Sequence, residues 1–248
     1  MSGIQTVIEE LNAIVDKARI EKAAHGYFAA LYLQMTEAVR DGISGNAFDD
    51  GARMEKLDVF FANRYLHALL AWQRGGTPTR TWAHAFEESR RNDIAVIQHL
   101  LCGIHAHINL DLGIAAALTS PGPAIYELES DFMKINSVID TLMVKVQVRL
   151  GKMSWPMQFL DELTGDTDSK IANFSIAIAR DAAWKFAVDL ALMPESVWPA
   201  QIQLKDQEML KLARRISEPG FVANLVLWPV KWFEKGTVSD KIDVLLGR

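Results

Sequence analysis

The sequence predicts an all-α protein, a single-domain bundle of about eight to ten helices around one central buried helix. Apolar residues recur every three or four positions along nearly the whole chain, which is the spacing of one face of an α-helix. Glycine and proline clusters separate these segments, and no alternating strand pattern bounded by paired turns occurs. The length of 248 residues, half of them hydrophobic, suits one large core. We therefore predict one all-α domain over residues 1–248.

Four helices are predicted before the central one. Each shows an apolar stripe opposite charged residues, and glycine-rich stretches mark where helices stop. The stretch 41–52, rich in glycine, asparagine and aspartate, is the clearest loop. The first predicted helix begins at Ile4, and the other three cover 20–39, 54–72 and 81–91.

The central helix is predicted over 94–118, with Asn92-Asp93 as its cap, because it is apolar on every side. No formal charge occurs from Ile94 to Leu110, but five polar residues interrupt this stretch. A transmembrane helix needs about 20 mostly apolar residues, so we predict a core helix of a soluble protein. The helices predicted after it are 128–151, 155–163, one from Asp166 or Asp168 to Leu192, 201–216, and a C-terminal helical segment over 221–248.

Charge and cysteine content exclude several classes of protein. Asp plus Glu outnumber Lys plus Arg by 31 to 26, so the chain has no excess of basic side chains for binding nucleic acid. The single cysteine, Cys102, excludes an internal disulfide and a multi-cysteine zinc site. The N-terminus lacks the basic and then apolar pattern of a signal peptide. We predict a cytoplasmic location.

Polar residues concentrate in the central helix at Gly103–Leu112, which is otherwise apolar. His107 and Asp111 are four residues apart and therefore lie on one face, while His105 and Asn109 lie together on nearly the opposite face. Because a central helix does not face bulk water, each of these polar groups needs a partner from a neighbouring helix.

An ionised Asp111 in such a helix requires a cation, a metal or strong donors, since burying it alone is costly. Arg180 and Arg64 are the candidate cations, because each arginine sits among apolar or aromatic residues. Asp131 and Asn136 lie at the two edges of the apolar stripe of the next long helix. The sequence therefore suggests several polar groups that meet if these helices converge.

Three segments of the sequence resemble an uncharacterised bacterial all-helical family, a domain of unknown function. They are His105–Leu112, Asp131–Asn136 and Arg180–Trp184, and together they are similar to the family pattern AHINxDL … DFxxVN … RxxAW. The likeness extends from about Phe60 onwards, with Ile135 in place of the usual valine. The resemblance implies that the three segments belong to one site or one structural cluster, and it implies no reaction.

A second, weaker resemblance concerns metal binding. The His107-x-x-x-Asp111 pair is similar to the helical zinc ligands of the all-α zinc-dependent phospholipase C and single-strand nuclease families. Those families have further histidines downstream, whereas all six histidines here lie between His25 and His107. A trinuclear zinc cluster is therefore not expected, but one divalent metal ion held by His107, Asp111 and Asp131 stays an open alternative.

The residues predict an enzyme, hydrolase-like or working by general acid–base catalysis, on a small or lipid-like molecule bound against the His99–Asp111 helix. His107 is the predicted acid or base, Asp111 orients it, Asp131 is a second carboxylate, and Arg180 is an anion or carbonyl clamp. The predicted substrate-binding residues are His105, Asn109, Asn136 and Trp184.

We expect His107 and Asp111, rather than His105 and Asn109, to form the functional pair. The reason is Gly103, which leaves space for a ligand one turn earlier on the His107 side.

Two other classes of function stay open. In a non-catalytic binding or scaffold protein, the His/Asn/Asp/Arg cluster is structural and Asp131 pairs with Lys134. Alternatively, the Trp-rich segment 221–235 docks on a membrane surface or on a partner. The enzyme hypothesis instead predicts that Asp131 and Arg180 approach His107 across a cavity.

Overall fold

Helices make up nearly all of the described chain. The computed structural model describes residues 3–154, 168–218 and 220–248, with side chains throughout except at 137, 140, 168–177 and 221–226. Within these ranges there are ten helices and no strand, which confirms the predicted all-α class. The helices are α1 Ile4–Glu21, α2 Gly26–Ser44, α3 Gly51–Gln73, α4 Arg80–Glu88, α5 Val96–Thr119, α6 Glu129–Met153, α7 Asp168–Leu192, α8 Trp198–Ser217, α9 Phe221–Trp232 and α10 Val238–Leu246.

Several helix boundaries differ from the prediction, most clearly those of the second helix and of the loop after it. The second helix does not begin at Ile20, because α1 continues to Glu21 and ends where Lys22 takes a left-handed conformation, with φ of 55°. The N–H of Ala23 then returns to the carbonyl of Ala18 at 2.9 Å, which closes the helix end. No glycine marks this stop. The loop after α2 is shorter than 41–52, and the predicted helix over 155–163 lies outside the described residues.

The central helix α5 joins two hydrophobic clusters. Residues of its first turns, among them Leu100 and Ala106, belong to one cluster together with residues of α1 and α2. Its last turns pack with α7 and with the start of α8 in the other, which includes Leu110 and Ile114. Between the two parts, His107–Leu112 forms a π-helical turn. The predicted central buried helix is therefore confirmed, and its irregular turn lies where the two clusters meet.

By length and composition alone, α5 is the one described helix that is apolar enough to cross a membrane. Inside the protein, 78% of its most apolar 18-residue stretch is buried. A helix enclosed by other helices has this composition, because every face packs against apolar side chains. The cytoplasmic location stays a prediction.

Three carboxylates from later parts of the chain bind the backbone N–H groups at the start of earlier helices. Asp131, in α6, accepts hydrogen bonds from the two N–H groups just before α3, at 2.7 and 2.9 Å. Asp206, in α8, accepts from the first two N–H groups of α4 at the same distances. Glu234 accepts from the first N–H group of α5 at 2.6 Å. The prediction that Asn92-Asp93 caps α5 is therefore wrong, because a distant carboxylate satisfies this helix start.

The C-terminal segment exposes part of its aromatic surface. Trp228 and Trp232 are 64% and 69% exposed, and their ring centroids are 5.3 Å apart. Val230 is buried, and Lys231 forms an ion pair with Glu234 at 3.3 Å. One side of this helix thus packs on the protein while two tryptophans face outwards. Docking of this segment on a membrane or partner stays a prediction.

We expect Asp206→Ala to lower the free energy of unfolding by about 2 kcal/mol. The variant leaves two N–H groups of α4 and the hydroxyl of Thr81 without their acceptor. The matched control is Glu208→Ala in the same helix, which removes one exposed ion pair with Lys205 and should cost less than about 0.5 kcal/mol. Urea denaturation measures both, and equal losses would contradict the role of Asp206.

Candidate functional site

Asp111 is fully buried, and three side chains donate hydrogen bonds to its carboxylate. Arg64 Nε in α3 binds Oδ1 at 3.0 Å, and Trp82 Nε1 in α4 binds Oδ2 at 2.6 Å. His107 Nδ1 lies 3.4 Å from Oδ2. Arg64 is therefore the cation beside Asp111, with 29% of its side chain exposed to solvent. Trp82 was not predicted as a donor, because its indole N–H is one atom in a side chain that otherwise packs like any core aromatic.

The ring of His107 lies among aromatic side chains. It stacks on Phe61, with ring centroids 3.5 Å apart and planes 6° apart, while Tyr32 and Phe28 meet it edge-on. Burial lowers the pKa of His107 below its usual 6.5, and the hydrogen bond with Asp111 opposes that shift. The imidazole is therefore neutral at pH 7, and the adjacent carboxylate assigns its proton to Nδ1.

The two histidines of the π-turn region hold opposite tautomers. His105 Nε2 donates to the carbonyl of Met209 at 2.8 Å, and its Nδ1 accepts from the Asn109 amide at 2.9 Å. Both ring nitrogens of His105 are thus engaged, Nε2 in joining α5 to α8 and Nδ1 within α5. Nε2 of His107 is buried and has no hydrogen-bond partner in the described part of the chain. Of the two residues, His107 alone keeps a ring nitrogen available to a ligand.

Gly103 does not leave empty space beside His107. A Cβ atom at this position would lie 2.5 Å from the ring of Phe28. The glycine therefore admits the Phe28 ring, which in turn meets His107 edge-on with centroids 5.6 Å apart. The prediction that Gly103 leaves space for a ligand is therefore wrong, because the Phe28 ring occupies that space.

A cavity of about 80 Å³ lies between α2, α3, α5, α6 and α7, and His107 forms part of its wall. On this measure a water molecule needs roughly 10–15 Å³, so the cavity has room for several waters or a slender apolar group. Aliphatic side chains make up most of the wall, among them three flexible methionines, Met35, Met54 and Met143. The polar side chains of the wall are Tyr32, Asp58, His107 and Arg180.

Asp58 and Tyr32 are buried in this wall, and Asp58 Oδ2 and the Tyr32 hydroxyl have no hydrogen-bond partner among the described residues. Burial, and then the charge of Glu55, raise the pKa of Asp58 to about 8. Asp58 is therefore a neutral carboxylic acid at pH 7. Burial and then Asp58 also raise the pKa of Tyr32 well above its usual value, while the nearby Thr36 side chain, which makes no hydrogen bond of normal geometry with the phenol, opposes the shift. Neither residue was predicted; the available signal was one acid inside the apolar run 57–61.

Arg180 reaches the same cavity from α7. Its Nη2 donates to the carbonyl of Phe132 at 2.6 Å, its Nε donates to the Asn136 side chain, and its guanidinium lies 4.8 Å from the Phe132 ring centroid. Trp184 packs on the same ring, with centroids 4.9 Å apart. Asn136 and Trp184, predicted to bind substrate, thus surround Arg180 and Phe132, and neither is part of the described cavity wall.

Asp131 is not brought to His107. It binds the turn before α3 and contacts Lys134 at 3.3 Å. These contacts agree with the alternative prediction in which Asp131 pairs with Lys134 and has a structural role. The three metal ligands suggested by the sequence, His107, Asp111 and Asp131, consequently do not form one group. Within 3–154, 168–218 and 220–248, no cluster of three or more His, Cys, Asp or Glu side chains suits a metal ion.

The comparison with known families agrees with the resemblance noted in the sequence. The model of DUF5995, a family of unknown function, matches residues 4–219. The chain belongs to this family. No curated protein and no solved structure matches it. In this member of DUF5995, all three motif segments reach one cavity, through His107, Ile135 and Arg180.

Removal of the buried carboxylate should destabilise the protein strongly. We expect Asp111→Ala to lower the free energy of unfolding by about 3 kcal/mol, because Arg64 and Trp82 lose their acceptor. Asp16→Ala, at an exposed position of α1, is the control and should change stability by less than about 0.5 kcal/mol. If Asp111→Ala melts like the parent in thermal denaturation, the carboxylate contributes nothing to the fold.

Titration of Asp58 should make stability depend on pH. Its pKa is raised from 3.8 to about 8 in the folded chain, so the unfolded chain releases this proton first. Its contribution to stability is full below pH 3.8 and is lost as pH rises through about 8. We expect the stability of the parent, relative to Asp58→Asn, to decrease between pH 4 and pH 8 in urea titrations. A difference that stays constant across this range would contradict the raised pKa.

Proposed function

We propose that this protein is an acid–base enzyme that acts on a small or lipid-like molecule bound in the cavity beside α5. The observation that carries the proposal is the state of His107. Its Nδ1–H is held by a buried, charge-balanced Asp111, while its Nε2 is unpaired in the wall of an apolar cavity. A neutral imidazole held in this tautomer has its lone pair on Nε2, where it acts as a general base.

Hydrolysis with water as the nucleophile fits this arrangement best. Within the described part of the chain, no serine, threonine or cysteine lines the cavity. Cys102 lies outside the cavity wall, and burial raises the pKa of its thiol to about 12, which makes it a poor nucleophile. In the proposed step, Nε2 of His107 takes a proton from water while the water oxygen bonds to the substrate carbonyl carbon. The bond between the carbonyl carbon and the leaving group then breaks, and His107 Nε2 returns the proton to the departing oxygen, which yields a carboxylic acid and an alcohol.

The roles of the other predicted site residues follow from their contacts. Asp111 orients His107, and Arg180 is the cation of the cavity wall. His105 joins α5 to α8 and is itself positioned by Asn109, and neither residue binds substrate in this proposal. Asp131 has no catalytic role in this proposal, and no step is assigned to a metal ion, because Asp131 does not join His107 and Asp111.

Hydrolysis of p-nitrophenyl hexanoate tests the proposal. We expect the protein to hydrolyse this ester and His107→Gln to reduce the rate by about 100-fold or more, the usual effect of losing a general base. Because the pKa of His107 is lowered, the rate should hold its plateau at pH 7 and fall only below pH 6.5 as the base is protonated.

The matched control is His105→Gln. This variant should keep the hydrolytic rate at temperatures below its melting transition and should lose stability, since His105 bonds to the Met209 carbonyl and to Asn109. Equal rates for His107→Gln and the parent, or no hydrolysis above that of free imidazole, would reject the enzyme hypothesis.

A binding protein without catalysis is the second candidate. The observation that favours it is the mainly aliphatic cavity wall with its three methionines, a surface suited to apolar ligands of varied shape. Binding of an apolar probe without any hydrolysis would select this candidate.

A further inference from the structure

We infer that the polar group of the ligand is a hydrogen-bond acceptor, the carbonyl oxygen of a neutral aliphatic compound, and that Asp58 and Tyr32 bind it. The inference deepens the proposed function and concerns the same cavity. It rests on two polar groups that the acid–base step does not use.

The first observation is that both groups lack a partner. Asp58 Oδ2 and the Tyr32 hydroxyl are buried, and neither has a hydrogen-bond partner among the described residues. Buried polar atoms in proteins nearly always bind a protein group, a water molecule or a ligand. Both residues line the cavity, so the cavity contents are the partner.

The second observation is that both groups are donors at neutral pH. Asp58 is protonated because burial and Glu55 raise its pKa to about 8, and Tyr32 keeps its phenolic proton. The other ionisable groups of the cavity wall are His107, which is neutral, and Arg180, which is bound to Phe132 and Asn136.

Two O–H donors match the two lone pairs of one carbonyl oxygen. Asp58 and Tyr32 line the same cavity wall, from α3 and α2. The unpaired Nε2 of His107 then accepts from the water that attacks this carbonyl. An aliphatic chain is larger than the cavity of about 80 Å³ and enters it when the flexible methionine side chains of the wall move aside.

Binding of 2-octanone, measured by calorimetry, tests the inference without any hydrolysis. Asp58→Leu should weaken binding roughly tenfold, the loss of one hydrogen bond in a buried site. Asp58→Asn, which keeps a donor, should bind within a few-fold of the parent.

Tyr32→Phe should weaken binding several-fold. Tyr65→Phe is its control, because Tyr65 is equally buried and unpartnered but lies outside this cavity wall, and it should leave binding unchanged.

The pH dependence of binding adds a second readout. With a pKa of about 8 for Asp58, the parent should bind 2-octanone about tenfold more weakly at pH 9 than at pH 6, since only the protonated form binds. The Asp58→Asn variant should show no such loss. Asp58→Leu should melt no lower than the parent, which excludes misfolding as the cause of weak binding.

Three results would overturn the inference. They are no binding of 2-octanone, unchanged binding by Asp58→Leu, and tighter binding of octanoate than of 2-octanone, which would point to Arg180 and an anionic ligand. Failure of the proposed function looks different. In that case 2-octanone binds through Asp58 and Tyr32, but ester hydrolysis is absent or independent of His107.

Discussion

The buried carboxylate of Asp111 determines how the centre of this protein is arranged. A carboxylate with no exposed surface needs strong donors, and it receives them from α3, α4 and its own helix through Arg64, Trp82 and His107. These contacts set the positions of α3 and α4 against α5. They also fix the tautomer of His107 and leave its Nε2 as the lone-pair nitrogen. One charge-balanced group thus serves both the fold and the proposed chemistry.

A related constraint operates at the helix ends. Asp131, Asp206 and Glu234 each bring a later part of the chain to the unsatisfied N–H groups at the start of α3, α4 or α5. Apolar packing alone tolerates sliding and rotation of one helix against another. A carboxylate bound to specific N–H groups does not, because a shift of one residue leaves the buried carboxylate without its donors. These contacts therefore fix the register in which the helices pack.

The unpaired polar groups of the cavity wall lower the stability of the unliganded protein. Asp58 and Tyr32 place unpaired polar atoms in a mainly aliphatic wall. Leucine in place of Asp58 and phenylalanine in place of Tyr32 would fill the same volume and make the unliganded protein more stable. The aromatic side chains around His107, by contrast, are in close contact. Phe61 stacks on the imidazole, and Phe28 occupies the space that Gly103 provides. The aromatic side chains therefore hold the proposed base, His107, in place. The flexible methionine side chains of the cavity wall face the ligand.

The sequence by itself determined the helical class, the central position of α5 and the need of Asp111 for a cation, a metal or strong donors. These features follow from local periodicity and from the cost of an unpaired charge, and neither depends on which helices become neighbours. Only the tertiary structure decided that Arg64 rather than Arg180 meets Asp111, that Asp131 holds a helix start, and that Asp58 lines the cavity. Periodicity specifies the face that a helix buries but not its partner, its rotation against that partner or its register. Those depend on side-chain packing and on hydrogen bonds between residues up to 224 positions apart, as between Arg19 and Asp243.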